Sequence, residues 1–232
     1  PLYWKKFYQG EPVGITNPIY EWASSAPQDY LKPMPVGLRW LRTTGGMDFG
    51  LGGINHPSAI CLISQTVDGD IWVRFAQEDG SGRTDWVWDM RDALNKTHYP
   101  VQSWGHDSSL RYPPDMLGTN VMSGTMTARF ARVGVMNSYA LSGNLFFDSS
   151  NPGVVACFEQ LQRIHFEESR SGKVDYARTD DDMVAALECA IAEIHAPHAQ
   201  LPQSIAKRSK PVTRTTNRYV ERRAVIGKRR GL

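Results

Sequence analysis

Asp48, Asp107 and the run Asp180-Asp181-Asp182 are the side chains of this 232-residue sequence whose type and setting point to chemistry. Asp48 stands in "GGMDFGL", just ahead of the apolar segment "SAICLIS". Asp107 closes "VQSWGHD", and the three consecutive acids open "DDMVAALECAIAEI". Alone, each has an ordinary use. An acidic run at a helix start caps it and complements its dipole, and an Asp ending a strand forms turns. An Asp inside a buried first strand is harder to place, because an unpaired buried carboxylate is strongly unfavourable. Brought together, such acids repel one another unless divalent cations neutralise them. A set of hard oxygen donors suits Mg²⁺ or Mn²⁺. Two such ions roughly 4 Å apart activate a water and stabilise the leaving oxygen of a phosphodiester, with one carboxylate bridging both. Asp48 is the candidate for that bridge.

The elements that must position these acids follow from the patterning. "GGMDFGL" and "SAICLISQTVDGDIWVRFAQED" read as extended runs, with Val67-Asp68-Gly69-Asp70 as the turn of a hairpin. Residues 83–96 place Trp86, Met90, Ala93 and Leu94 at helical spacing. A short strand over 101–107, a helix over 119–133, a strand at 143–147 and a helix over 153–168 come next. A polar hairpin then leads to a last helix over 181–194. Three strands forming an antiparallel meander, then parallel strands joined by helices, give an α/β fold with a mixed sheet flanked by helices. This is the element order of the RNase H-like fold. In that fold the first strand, the end of the fourth and the start of the last helix meet at one sheet edge, which is where Asp48, Asp107 and the Asp181–Asp182 pair fall.

Other residues are weaker candidates. His106, beside Asp107, and His56 could orient a water or touch a phosphate, against a reading as ordinary loop histidines. Lys173 and Arg178 flank the polar hairpin and are candidates for DNA phosphate contact, against a solvated hairpin. No H-E-x-x-H or paired Cys/His spacing suggests zinc, and no G-x-S-x-G elbow supports a serine hydrolase. No G-x-x-x-x-G-K-[ST] occurs, so a P-loop ATPase is absent from this chain. Cys61, Cys157 and Cys189 are widely spaced and read as free thiols of a reducing compartment.

Apolar residues make up 41% of the chain and charged ones 22%, which suits a soluble domain with a real core. No stretch of eighteen apolar residues is present, so no transmembrane span is expected. The first residue is Pro1, which reads as a processed chain or an excised fragment. The net charge of +2 conceals an asymmetry. Residues 207–232 carry ten Lys or Arg and one acid, a tail of +9 on a body of −7. A basic tail on an acidic body suits contact with nucleic acid. Three segments are expected: a Pro- and Trp-rich connector over 1–40, the nuclease-like domain over 41–196, and a flexible basic tail over 197–232.

"GMDFG…NHPSA", "WGHDSS" and "ESRSGKVDYARTDDDMVAAL", in that order, resemble the nuclease domain of the large terminase subunit of tailed bacteriophages, over about residues 45–195. "GEPVGITNPIYEW" looks like that family's connector from motor to nuclease. The resemblance implies a metal-dependent endonuclease that cuts concatemeric double-stranded viral DNA during genome packaging, in the host cytoplasm. It matches Asp48, Asp107, Asp181 and Asp182 to the family's catalytic, metal-binding acids, holding two Mg²⁺ or Mn²⁺ ions. Which of Asp181 and Asp182 binds each ion stays open. The implied partners are DNA, the portal protein, the small terminase subunit and a packaging ATPase domain outside this chain. The alternatives are a junction-resolvase or transposase-like nuclease of the same fold, and a catalytically silent module that docks on DNA or portal.

Overall fold

The computed structural model describes residues 18–50, 56–83, 85–97, 101–106, 121–123, 129–168, 174–176 and 181–195. Two short helices, α1 (Glu21–Ser25) and α2 (Pro27–Tyr30), lead into a two-residue strand, β1 (Leu31–Lys32). The long strands β2 (Trp40–Asp48), β3 (Ser58–Thr66) and β4 (Ile71–Asp79) follow, then α3 (Trp86–Lys96) and β5 (Ser103–His106). After them come β6 (Val121–Ser123), α4 (Arg129–Leu141), β7 (Leu145–Asp148) and α5 (Pro152–Arg163). The strand pair β8 (Phe166–Glu168) and β9 (Val174–Tyr176) precedes the final helix, α6 (Asp182–His195).

Seven strands form one mixed sheet in the order β1-β7-β4-β3-β2-β5-β6. β2, β3 and β4 are an antiparallel meander. β5 joins β2 in parallel, β6 joins β5, and β7 joins β4. This is the mixed α/β sheet expected of an RNase H-like fold. Gly69 turns the β3–β4 hairpin with a φ of 101°, a conformation that favours glycine.

β3 is buried on both faces, which is why "SAICLIS" reads as a continuous apolar run rather than an alternation. Ala59, Cys61 and Ile63 face a large core shared with α1, α4, α5 and α6. Ile60 and Leu62 face a smaller core closed by Met47, Phe49, Trp104 and the α3 residues Val87 and Leu94. Within the stretch read as an arm, Tyr20, Trp22 and Ala23 are buried in the larger core. Cys61, Cys157 and Cys189 are buried and form no disulfide. Among the described residues no helix is long and apolar enough to cross a membrane.

Two helices lie elsewhere than their spacing suggests. The helix expected over 119–133 is displaced to 129–141, and residues 121–123 instead form β6, paired in parallel with β5. Val121 is β-branched, and the pairing of 121–123 with β5 overrides the weak helical pattern there. The helix expected over 153–168 ends at Arg163, where Ile164 turns to an extended backbone and β8 pairs with β9. Its start is well specified. Asn151 accepts hydrogen bonds from the N–H groups of Gly153 and Val154 at 2.9 and 3.3 Å, and Pro152 occupies the first turn.

Candidate metal centre

Helix α6 lies directly on β2. A Cβ on Gly46 would stand 1.8 Å from the Ala186 carbonyl oxygen, so only glycine allows the contact. Gly105, paired with Gly46 on β5, is constrained less severely, a Cβ there standing 2.7 Å from the Cys189 carbonyl oxygen. Thr44 Oγ1 donates to the Ala190 carbonyl at 3.0 Å. Thr44 thus meets Ala190 and Gly46 meets Ala186, so helix and strand run in opposite directions along the same line.

This contact determines where the acids go. Asp48 lies two residues beyond Gly46, on the same face and about 6.6 Å further along the strand. Asp182 lies four residues before Ala186, about 6 Å further along the helix in the same direction. The two acids therefore end the strand and start the helix at matching levels, on the helix-covered face. Glu78 joins them. Asp48 pairs with Ala59 across β2–β3, and Ala59 with Glu78 across β3–β4, so all three share one face with a small residue at the centre.

The electrostatics of Asp182 reflect this company. Burial, then the charges of Asp181 and Glu78, push its carboxyl up to about 6, against opposition from a backbone hydrogen bond and from His56. Asp181 is held differently. Its carbonyl accepts from the Ala185 N–H at 2.8 Å, and its carboxylate is ion-paired with Arg129 of α4. Arg129 also donates through Nε to Glu188 Oε2 at 3.1 Å. Glu188 is fully buried and accepts from the Tyr20 hydroxyl at 2.7 Å, with Arg132 Nε 3.7 Å away. Burial raises the Glu188 carboxyl, and Arg129, Tyr20 and Arg132 oppose the shift. Burial also works against the Arg129 charge, but Glu188 and Asp181 more than offset it and hold its guanidinium firmly protonated.

The same arrangement of sheet and helices occurs in solved structures. The large terminase nuclease from thermophilic phage G20c, with bound magnesium, has a TM-score of 0.58 at 15% identity, over 77% of this chain and 98% of that one. The nuclease domain of the Thermus phage P74-26 large terminase has a TM-score of 0.55 at 16% identity, over 75% of this chain and 94% of that one. This chain has the large-terminase nuclease fold. The P22 large terminase nuclease domain agrees, with a TM-score of 0.52 at 14% identity over 72% of this chain and 89% of that one. The G20c nuclease is also known with bound cobalt. No family model and no curated protein matches the sequence.

Within this nuclease fold the expected residues divide. Asp48 ends β2 and Asp182 starts α6, at matching levels of the strand–helix contact. Asp181 adjoins them in sequence, but its carboxylate is engaged by Arg129. Asp107, Lys173, Arg178 and Asp180 lie outside the described residues; the last described residue of β5, His106, pairs with Met47. His106 as a DNA contact needs correction. It is 2% exposed and projects to the opposite face, where its ring centroid lies 6.2 Å from that of Phe49. Residues alternate along a strand, so if Gly105 faces α6, His106 cannot. His56 is exposed and close enough to Asp182 to lower its pKa.

Glu78 and Arg129 escaped the sequence reading. Glu78 sits in "AQEDGSG", which looks like a solvated strand end, and only the three-strand register reveals its face. Arg129 is 52 residues before Asp181 and carries no local signal. Among the described residues no three donors already stand as a closed metal nest. The acids gathered here offer hard oxygen donors, beside the His56 imidazole, while every cysteine is buried in the core. A half-buried carboxyl raised first by burial and then by like-charged neighbours is an environment that a divalent cation would relieve, so the residues present fit Mg²⁺ or Mn²⁺.

Proposed function

We propose that this chain is a metal-dependent endonuclease that cuts double-stranded viral DNA during genome packaging, with Asp48, Asp182 and Asp107 as its cation-binding acids. The observation that carries this reading is the placement of Asp48 and Asp182 at one end of the β2–α6 contact in a large-terminase nuclease fold. Two bound Mg²⁺ or Mn²⁺ ions would supply Lewis-acid stabilisation of the charge that develops on the phosphodiester.

The protein's own residues have separable tasks. Asp48, fixed at the end of a central strand, would hold the cations together with Asp182 and Asp107. Asp182 offers its carboxylate from the first turn of α6. Asp181 is a positioning residue, pinned by Arg129 so that the first turn cannot rotate. Phosphate contacts carry affinity but little base information, so sequence preference is low. The packaging ATPase lies outside this chain, and the portal and small subunit are the partners this role implies. The basic tail over 197–232 suits an anionic partner, DNA phosphates or an acidic surface of the portal ring. Host cytoplasm is the setting such a motor requires.

The test is cleavage of supercoiled plasmid with Mn²⁺ or Mg²⁺, alongside Asp48→Asn. We expect nicking and degradation that EDTA abolishes, and loss of more than about tenfold in rate for Asp48→Asn, a penalty above about 1.4 kcal/mol. Undiminished cutting in chelator would rule the reading out. A marked preference for branched over linear duplex would instead favour a junction resolvase.

A further inference from the structure

We infer that Ser58 is a positioning residue for Asp48, its hydroxyl holding the backbone that follows the acid where the β2–β3 ladder stops. The role rests on the metal-nuclease reading above. Asp48 is the last residue of β2 and pairs with Ala59. Strand ends fray unless their backbone groups are held. Two positions on, Gly50 falls opposite Pro57, which has no N–H to give to a ladder. The Gly50 N–H donates to Ser58 Oγ instead, at 3.0 Å. Ser58 is 4% exposed and Gly50 is buried, so solvent does not compete for this bond.

The neighbouring contacts close around that bond. A Cβ on Gly50 would stand 1.9 Å from the His56 carbonyl oxygen and 2.7 Å from the Pro57 carbonyl carbon, so only glycine lets the two backbones approach. Between Asp48 and Gly50, Phe49 is buried in the smaller core, its ring centroid 4.9 Å from that of Trp88 on α3. The ring anchors Phe49 on one side, and the Ser58 bond fixes the plane of the Phe49–Gly50 peptide on the other. Asp48 is thereby held between a paired residue and a pinned one. Ser58 alternates with Ala59 and lies on the side of the sheet that Ile60 occupies, so it acts on Asp48 through the backbone and not as a ligand. Without its oxygen the Gly50 N–H would be buried and unpaired. The relief open to that peptide is to turn, which frees the strand end that carries Asp48. Groups that orient a metal ligand indirectly typically change metal affinity or activity about 10–100-fold when removed.

The experiment is a Mn²⁺ titration of the full chain, followed by calorimetry and by the electron paramagnetic resonance of free Mn²⁺, for wild type, Ser58→Ala, Ser58→Thr and Ser58→Cys. The melting temperature of each in EDTA is recorded beside it. We expect folded Ser58→Ala to bind Mn²⁺ about tenfold more weakly than wild type. Plasmid cleavage should fall by a similar factor at limiting Mn²⁺ and recover at saturating Mn²⁺. Ser58→Thr keeps the oxygen and should restore both. A lower melting temperature with unchanged Mn²⁺ affinity in Ser58→Ala would make Ser58 a structural residue only and overturn the role. A loss shared by Ser58→Thr would assign the effect to packing and also count against it. Should Ser58→Ala not fold, Ser58→Cys decides, because its sulfur is a weak acceptor in nearly the same place: weakened affinity supports the role, and wild-type affinity overturns it. Absence of Mn²⁺ binding in the wild type would overturn the nuclease reading itself, and this role with it.

Discussion

Helix α6 carries two acids six residues apart whose surroundings could hardly differ more. Glu188, in the middle of the helix, is fully buried and answered by Arg129, Arg132 and the Tyr20 hydroxyl. Asp182, at the amino end, is half-buried among acids, and burial together with Asp181 and Glu78 raises its carboxyl to about 6. On the proposed reading, the contrast separates a structural acid from one that would take a cation. A carboxylate that the fold has already neutralised contributes to the architecture. One left among like charges at the end of a strand–helix contact is, on the proposed reading, open to compensation by a cation. Arg129 marks the boundary, its Nη2 engaging Asp181 and its Nε engaging Glu188.

The largest test of the contrast is Glu188→Gln. Removing one partner of a buried ion network leaves the other charges uncompensated, a penalty of about 3–5 kcal/mol. In a chain of this size that is a fall in melting temperature on the order of 10 °C, measurable by thermal denaturation in EDTA. Asp182→Asn should do the opposite in the same buffer, leaving stability equal or higher because it removes like-charge repulsion. If the two variants shift stability in the same direction, the distinction fails.

A smaller effect is expected for Tyr20→Phe. It deletes the 2.7 Å hydrogen bond to Glu188 while keeping the ring in the core. A hydrogen bond to a charged group contributes about 1.5–3 kcal/mol, so the urea midpoint should drop by the corresponding amount. Cleavage should survive, since no acid of the cation face is touched. A loss of cutting comparable to that of Asp182→Asn would mean that the two regions are not separate.

The smallest effect sharpens the comparison at the far end of α6. Burial pushes the Glu193 carboxyl up to about 7, against the pull of a Ser103 hydrogen bond and the Arg42 charge. Its Oε1 has no partner among the described residues. The ordinary value is 4.5, so between about 4.5 and 7 the folded state holds a proton that the unfolded chain has released. Stability attached to this group is fully present below pH 4.5 and is lost as pH rises through 7. Glu193→Gln removes that dependence. Its melting temperature should match wild type near pH 4.5 and exceed it by a few degrees at pH 8, at about 2–4 °C for each kcal/mol relieved. A constant difference across that range would assign the effect to packing instead.

Much of this was legible in the residues. An acid in a glycine-flanked first strand, a hairpin turn at Val67–Asp70 and an acidic start to an apolar helix sufficed for the sheet class and to single out Asp48 as a candidate. The choice between Asp181 and Asp182 was not legible, because it depends on a guanidinium 52 positions away. Glu78 stayed hidden for a related reason: its significance lies in a register across three strands, while locally it resembles a solvated strand end. His106 misled because a polar residue beside Asp107 invites a functional reading, whereas strand alternation sends it to the opposite, apolar face. The displaced α4 shows parallel strand pairing prevailing over a weak helical spacing.

The most direct test of the central claim is a matched pair of plasmid-cleavage rates in saturating Mn²⁺, Asp181→Asn against Asp182→Asn. Asp182 is assigned to a cation and Asp181 to Arg129. Asp182→Asn should therefore lose at least about a hundredfold in rate, close to 2.7 kcal/mol of transition-state stabilisation. Asp181→Asn should stay within about tenfold of wild type, or 1.4 kcal/mol. The reverse ranking, or equal losses in both, would contradict the assignment of Asp182 as the acid that α6 presents to the metal.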